Sequence, residues 1–139
     1  MKKCFLPIIL VIFISGCIEA ALISSKCRVD KEVGRCEISK DGTASLSGLD
    51  LPSSAVLTSA KISPCEITGK LWSCREMDFW KVKDCEIISS SQPFKVKCPI
   101  EKGAWMVKFN ILKPKACPDP VDPSVLRDCE EVVRVYQEI

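Results

Sequence analysis

The chain has 139 residues, 20 Lys and Arg against 18 Asp and Glu, ten cysteines and no histidine. That length suits one domain with a sizeable core, and the near balance of charge excludes a generally basic, nucleic-acid-seeking protein. The missing histidine excludes Ser-His-Asp and Cys-His catalysis and every histidine-ligated metal, so no cofactor is expected.

In chain order, Lys2 and Lys3 precede an apolar run from Phe5 to Ile14, broken only by Pro7. The run is too short to span a membrane, which takes ~20 apolar residues. A buried helix fits no better, because nearly every face is apolar and Pro7 disrupts a helix interior. Residues 1–16 therefore read as a secretory signal. Its end, Ile14-Ser15-Gly16-Cys17, resembles the lipobox of prokaryotic lipoproteins: an aliphatic residue, two small residues, then a cysteine. The resemblance covers the signal region alone. It implies that Cys17 is diacylated, becomes the mature N-terminus, and anchors the protein outside the cytoplasm to the cell membrane or outer membrane. Ordinary cleavage after Ala20 or Ala21 is the rival, with Ile18 or Glu19 poorly suited to the third position before the cut. Residues 17–26 then form a short tether, and 27–139 a single domain.

Removing residues 1–16 takes away Cys4, and acylation takes Cys17. Eight cysteines remain: Cys27, Cys36, Cys65, Cys74, Cys85, Cys98, Cys117 and Cys129. An even number in an exported chain reads as a disulfide framework. Sequence leaves the pairing open. Spacing suggests Cys27 with Cys36, Cys65 with Cys74, Cys85 with Cys98 and Cys117 with Cys129, each pair closing a hairpin or loop. Stapling of distant strands is the alternative. No two cysteines are close enough for a zinc knuckle, so no metal is expected.

Short alternating segments follow, at 34–38, 43–49, 55–62 and 71–74. A phrase of aromatic, any residue, Val, Lys then recurs in "FWKVKDC" (79–85), "PFKVKC" (93–98) and "AWMVKF" (104–109). Period-two alternation rich in β-branched and aromatic residues predicts half-buried strands. Turn signals separate them, at Asp41-Gly42, Pro52-Ser53-Ser54, Thr68-Gly69-Lys70 and Glu101-Lys102-Gly103. The expected fold is all-β: an antiparallel sandwich, disulfide-stapled. "EKGAWMVKFNI" resembles the late-strand pattern of immunoglobulin-like domains, a likeness of fold and not of function. Residues 113–123, with prolines at 114, 118, 120 and 123, read as an extended exposed loop. Asp122 and Pro123 then predict a helical turn over 123–128, and "VVRVY" a closing strand over 131–137.

No nucleophile elbow or phosphate loop is present. Acid pairs that suit glycoside chemistry are Asp128 with Glu130 or Glu131, and Glu76 with Asp78. Lys81, Lys83, Lys95, Lys97 and Lys108 crowd a stretch otherwise poor in acids, and suggest a face for an anionic ligand or, more simply, a solvated sheet surface. Trp72, Trp80 and Trp105 suggest either core packing or a sugar-stacking platform. The segment between Cys117 and Cys129 has the form of a stapled recognition loop or a plain connection. The function expected is a lipid-anchored cell-envelope protein with a binding or structural role, partnered by the membrane and by an envelope protein or glycan. The alternatives are an envelope hydrolase using paired carboxylates and a secreted inhibitor or ligand without lipid.

Overall fold

The computed structural model describes residues 27–139; Cys17, the signal segment and the tether lie outside them. Ten strands form, in the order β1 (Arg28–Val29), β2 (Arg35–Ile38), β3 (Thr43–Ser47), β4 (Val56–Thr68), β5 (Leu71–Cys74), β6 (Lys83–Asp84), β7 (Glu86–Ser89), β8 (Phe94–Lys97), β9 (Ala104–Pro118) and β10 (Leu126–Glu138). All pairings are antiparallel. The first sheet runs β1-β10-β9-β4-β5, with β6 also on β4; the second runs β2-β3-β8-β7. The two pack as a sandwich, as the alternation of apolar residues predicts.

One face of each sheet supplies the core. Ala44, Leu46, Phe94 and Val96 come from the second sheet; Leu57, Ala60, Ile62, Val107, Phe109, Ile111, Val133 and Val135 come from the first, and all are buried. Burial of each large apolar side chain stabilises the fold by about 1.5–3 kcal/mol. The chain passes between sheets at Cys85, between β6 and β7. There its N–H donates to the carbonyl of Ala60 at 2.9 Å. Gly42 closes the β2–β3 turn with φ +93°, and an added Cβ would collide with the carbonyl oxygen of Cys98. Only glycine suits that turn.

Four disulfides join Cys27 to Cys36, Cys65 to Cys74, Cys85 to Cys98 and Cys117 to Cys129, the pairing that spacing suggests. Their settings differ. Cys65 and Cys74 are register partners in the β4–β5 hairpin, with Cα atoms 4.0 Å apart. Cys27 and Cys36 do not close a hairpin, since β1 belongs to the first sheet and β2 to the second. That bond clasps the two sheets together.

Further expectations are corrected. "FWKVKDC" is not a strand: the carbonyl of Asp78 accepts from the N–H groups of both Lys81 and Val82, which coils the segment, and only Lys83–Asp84 pairs. The helical turn over 123–128 is a single β-turn, in which the N–H of Val125 donates to the carbonyl of Asp122 at 3.0 Å. Asp followed by Pro serves the first two positions of such a turn equally well. The proline-rich loop is shorter than 113–123, because β9 continues to Pro118. Similarly, β4 runs on past Ile62 through Pro64. N–H and C=O of one strand residue point to the same side, and the carbonyl of Pro64 accepts from Arg75. The missing N–H therefore faces the gap between β6 and β5, where no ladder bond is lost.

Candidate functional site

The most distinctive surface is the far end of the β9–β10 pair. β4 accompanies β9 only as far as Leu112, and β1 meets β10 only at Val135 and Tyr136. Beyond Leu112 and Glu130, among the described residues, the two strands pair only with each other, so they project from the sandwich as an arm. Lys113 and Glu131 pair at its base at 3.0 Å.

A bulge then bends the arm. Between the pairs Cys129↔Lys113 and Arg127↔Cys117, β9 holds three residues where β10 holds only Asp128. Lys115, in the bulge, has φ +49°, and its N–H donates to the Asp128 carboxylate at 2.9 Å. That bond supports a conformation in which non-glycine residues are uncommon. The Cys117–Cys129 disulfide ties the two strands across the same bulge.

The tip is held by side chains acting on the backbone. Asp119 Oδ1 accepts from the N–H of Val121 at 2.7 Å and of Asp122 at 3.3 Å, while its Oδ2 pairs with Arg127 Nε at 3.2 Å. Asp122 Oδ1 accepts from the Ser124 hydroxyl at 2.7 Å and from the Ser124 N–H at 3.2 Å. These Ser124 bonds hold the Asp122 carboxyl below the usual range. Pro118, Pro120 and Pro123 remove further backbone freedom. The result is a set loop carrying Val121 at 92% exposure, with Val125 and Leu126 exposed beside it. Such an arrangement costs little entropy on binding, which favours recognition of a partner.

The outer face of the first sheet is the second feature. Arg134, Lys108, Lys61 and Asp84 are register neighbours across β10, β9, β4 and β6. Glu76, from the crossing between β5 and β6, lies over the row: its carboxylate is 3.2 Å from Arg134 Nε and 3.8 Å from Lys108 Nζ. Lys61 pairs with Asp84 at 2.8 Å, and Asp30 Oδ1 accepts from the Arg134 N–H at 3.0 Å. Beside the row, Tyr136 meets Trp72 edge to face at 5.8 Å and has Arg28 over its ring at 4.8 Å. Burial, then Asp30, pushes the Tyr136 phenol up. Met106 and Ser63, both buried, lie between these elements in register with Tyr136.

The five lysines do not share a face. Lys95 and Lys97 point outward from β8 in the second sheet, Lys108 outward from the first, Lys81 lies on the β5–β6 crossing, and Lys83 opens β6 in register with the core residue Ile62. Alternating lysines on strands of opposite sheets necessarily face opposite ways. The three tryptophans are equally dispersed. Trp105 packs against the core and donates its Nε1–H to the Glu101 carbonyl at 2.7 Å; Trp72 covers the outer face; Trp80 stands in solvent. Of the candidate acids, Asp128 holds the bulge, Glu131 holds the arm's base, Glu76 holds the cation row, and Asp78 pairs with Arg75 at 3.2 Å. All eight cysteines from Cys27 onward are disulfide-bonded. The feature that sequence reading missed is the exposed aromatic crossing, whose alternation imitates a strand.

No protein-family model, curated protein or solved structure matches this chain.

Proposed function

We propose that the chain is a lipid-anchored cell-envelope protein that binds, with its arm as the contact surface for an envelope protein or glycan. The arm's position carries this reading. The chain toward residues 1–26 leaves at Cys27, beside Arg28, which pairs with Tyr136 near one end of β10. The tip adjoins Leu126 at the other end, about 33 Å away along the strand. An anchor at Cys17 therefore holds one end of the sheet while a set, apolar-tipped loop stands at the opposite end. The disulfides are consistent with an extracytoplasmic location, where such bonds persist.

Two measurements test the proposal. The intact mass of the native protein, before and after reduction, is expected to show a chain beginning at Cys17, acyl groups on it and eight bonded thiols; an unacylated chain favours the secreted ligand instead. A photo-crosslinker at position 121, in living cells, is expected to capture a defined partner that the same group at Lys95 does not. Equal capture at both positions, or none at 121, removes the arm from the function.

A further inference from the structure

The crossing between β5 and β6 carries three large apolar side chains into solvent within four residues. Met77 is 92% exposed, Phe79 82% and Trp80 65%. Phe79 and Trp80 meet only edge to face, 5.2 Å apart. Yet the segment is not loose. The Arg75 N–H donates to the Pro64 carbonyl at 3.1 Å, the Lys81 and Val82 N–H groups donate to the Asp78 carbonyl, and Glu76 is fixed on Arg134. The acids of the crossing are engaged, Glu76 with Arg134 and Lys108 and Asp78 with Arg75, and Asp84 of β6 pairs with Lys61. Among the described residues Lys81, the lysine of the crossing, has no carboxylate partner.

We propose that this crossing is a second membrane contact, with Met77, Phe79 and Trp80 seated at the headgroup boundary of an anionic bilayer and Lys81 against its phosphates. A held apolar tip with a tryptophan and an adjoining lysine has the chemistry of an interfacial anchor. Its place in the fold agrees. Asp30, three residues after the chain enters at Cys27, and Glu76 share Arg134; Arg28 and Trp72 share Tyr136. The crossing thus sits beside the point from which the tether runs. This placement rests on the lipid-anchored reading: from Cys17 to Cys27 the chain extends at most about 36 Å. A tip confined within that distance has a high effective concentration at the bilayer, so a weak contact suffices to set the domain's tilt.

Tryptophan fluorescence tests it on the native protein. Emission is compared between the wild-type chain and Trp80→Phe, which alters only an exposed side chain, so the difference reports Trp80. The vesicles contain phosphatidylglycerol and brominated phosphatidylcholine. On vesicles, Trp80 is expected to shift to the blue, to be quenched by bromine, and to lose about threefold in quenching by aqueous acrylamide. Lys81→Glu is expected to weaken the effect several-fold, as is high salt. Flotation with vesicles while Trp80 stays open to acrylamide overturns the contact and spares the anchor. Bromine quenching of Trp80 in a chain whose mass shows no acyl groups supports the contact and overturns the anchor. Protection of Trp80 without vesicles, accompanied by dimerisation, overturns the contact in favour of self-association.

Discussion

Glu76 lies over Arg134 and Lys108, with Lys61 next in the row. Replacing it by Gln leaves two of those neighbours without their shared carboxylate. Because the groups are about one-third exposed, the expected loss is modest, about 1 kcal/mol in urea unfolding. The loss should shrink in salt, since the screened term is what the variant changes. An unchanged midpoint at low salt would show that the row contributes nothing. Tyr136 offers an independent reading, because it is the sole tyrosine of the chain. Its phenol is pushed up by burial first, then by Asp30, with Glu76 adding to the effect. Phenolate absorbance should therefore emerge above the ordinary tyrosine range in the folded protein. A raised folded value means that the stability it carries is present below the unfolded pKa and is lost as pH rises through the folded one. Glu76→Gln should move the titration downward. Gly42→Ala should cost about 1–3 kcal/mol, since the residue is left-handed and its new methyl meets the Cys98 carbonyl.

At the scale of elements, the four disulfides should not be equivalent. Removing Cys85 and Cys98 together opens the crossing between sheets and should lower global stability by about 3 kcal/mol. Removing Cys117 and Cys129 should instead free the arm: amide exchange rises from Lys115 to Asp128 while the core strands keep their protection. Exchange rising throughout the sandwich would show that the arm is part of the core's cooperative unit. At the tip, Asp122 stays ionised below the usual carboxylate range because of Ser124. The depressed value means that its support is complete above the unfolded pKa and fades as pH falls through the folded one. Ser124→Ala should raise that titration, as carbon-detected NMR of the carboxyl would show. Much of this organisation is legible in the chain. The alternation of Phe94, Val96 and Cys98 against Lys95 and Lys97 marks a half-buried strand, and the same rhythm over Trp105–Phe109 marks another. It misleads at Trp80-Lys81-Val82-Lys83 because period two says nothing about whether a neighbouring strand exists. There, turns closed on the Asp78 carbonyl supply the hydrogen bonds instead. The arm's stiffness is half legible: its prolines and cysteines stand out, but the roles of Asp119 and Asp128 depend on a bulge that no local pattern announces.

For the molecule as a whole, the absence of histidine sets the pH behaviour. No side chain has an ordinary pKa between about 5 and 8. Thermal midpoints should be flat across that range and fall only at the acid and alkaline ends. A sigmoidal change near neutrality would require a displaced carboxyl or amine outside the pairs described here. The sandwich places a bent, stapled arm at one end and the exit toward residues 1–26 at the other, so the tip and the exit can be altered separately. The clasp between Cys27 and Cys36 has a mechanical consequence. β1 pairs through only two residues, and traction on the chain ahead of it would ordinarily unzip so short a ladder. Because Cys27 is covalently joined to Cys36, the load bypasses residues 28–35 and passes directly into the opposite sheet. A leash fastened there can be tugged without paying out slack.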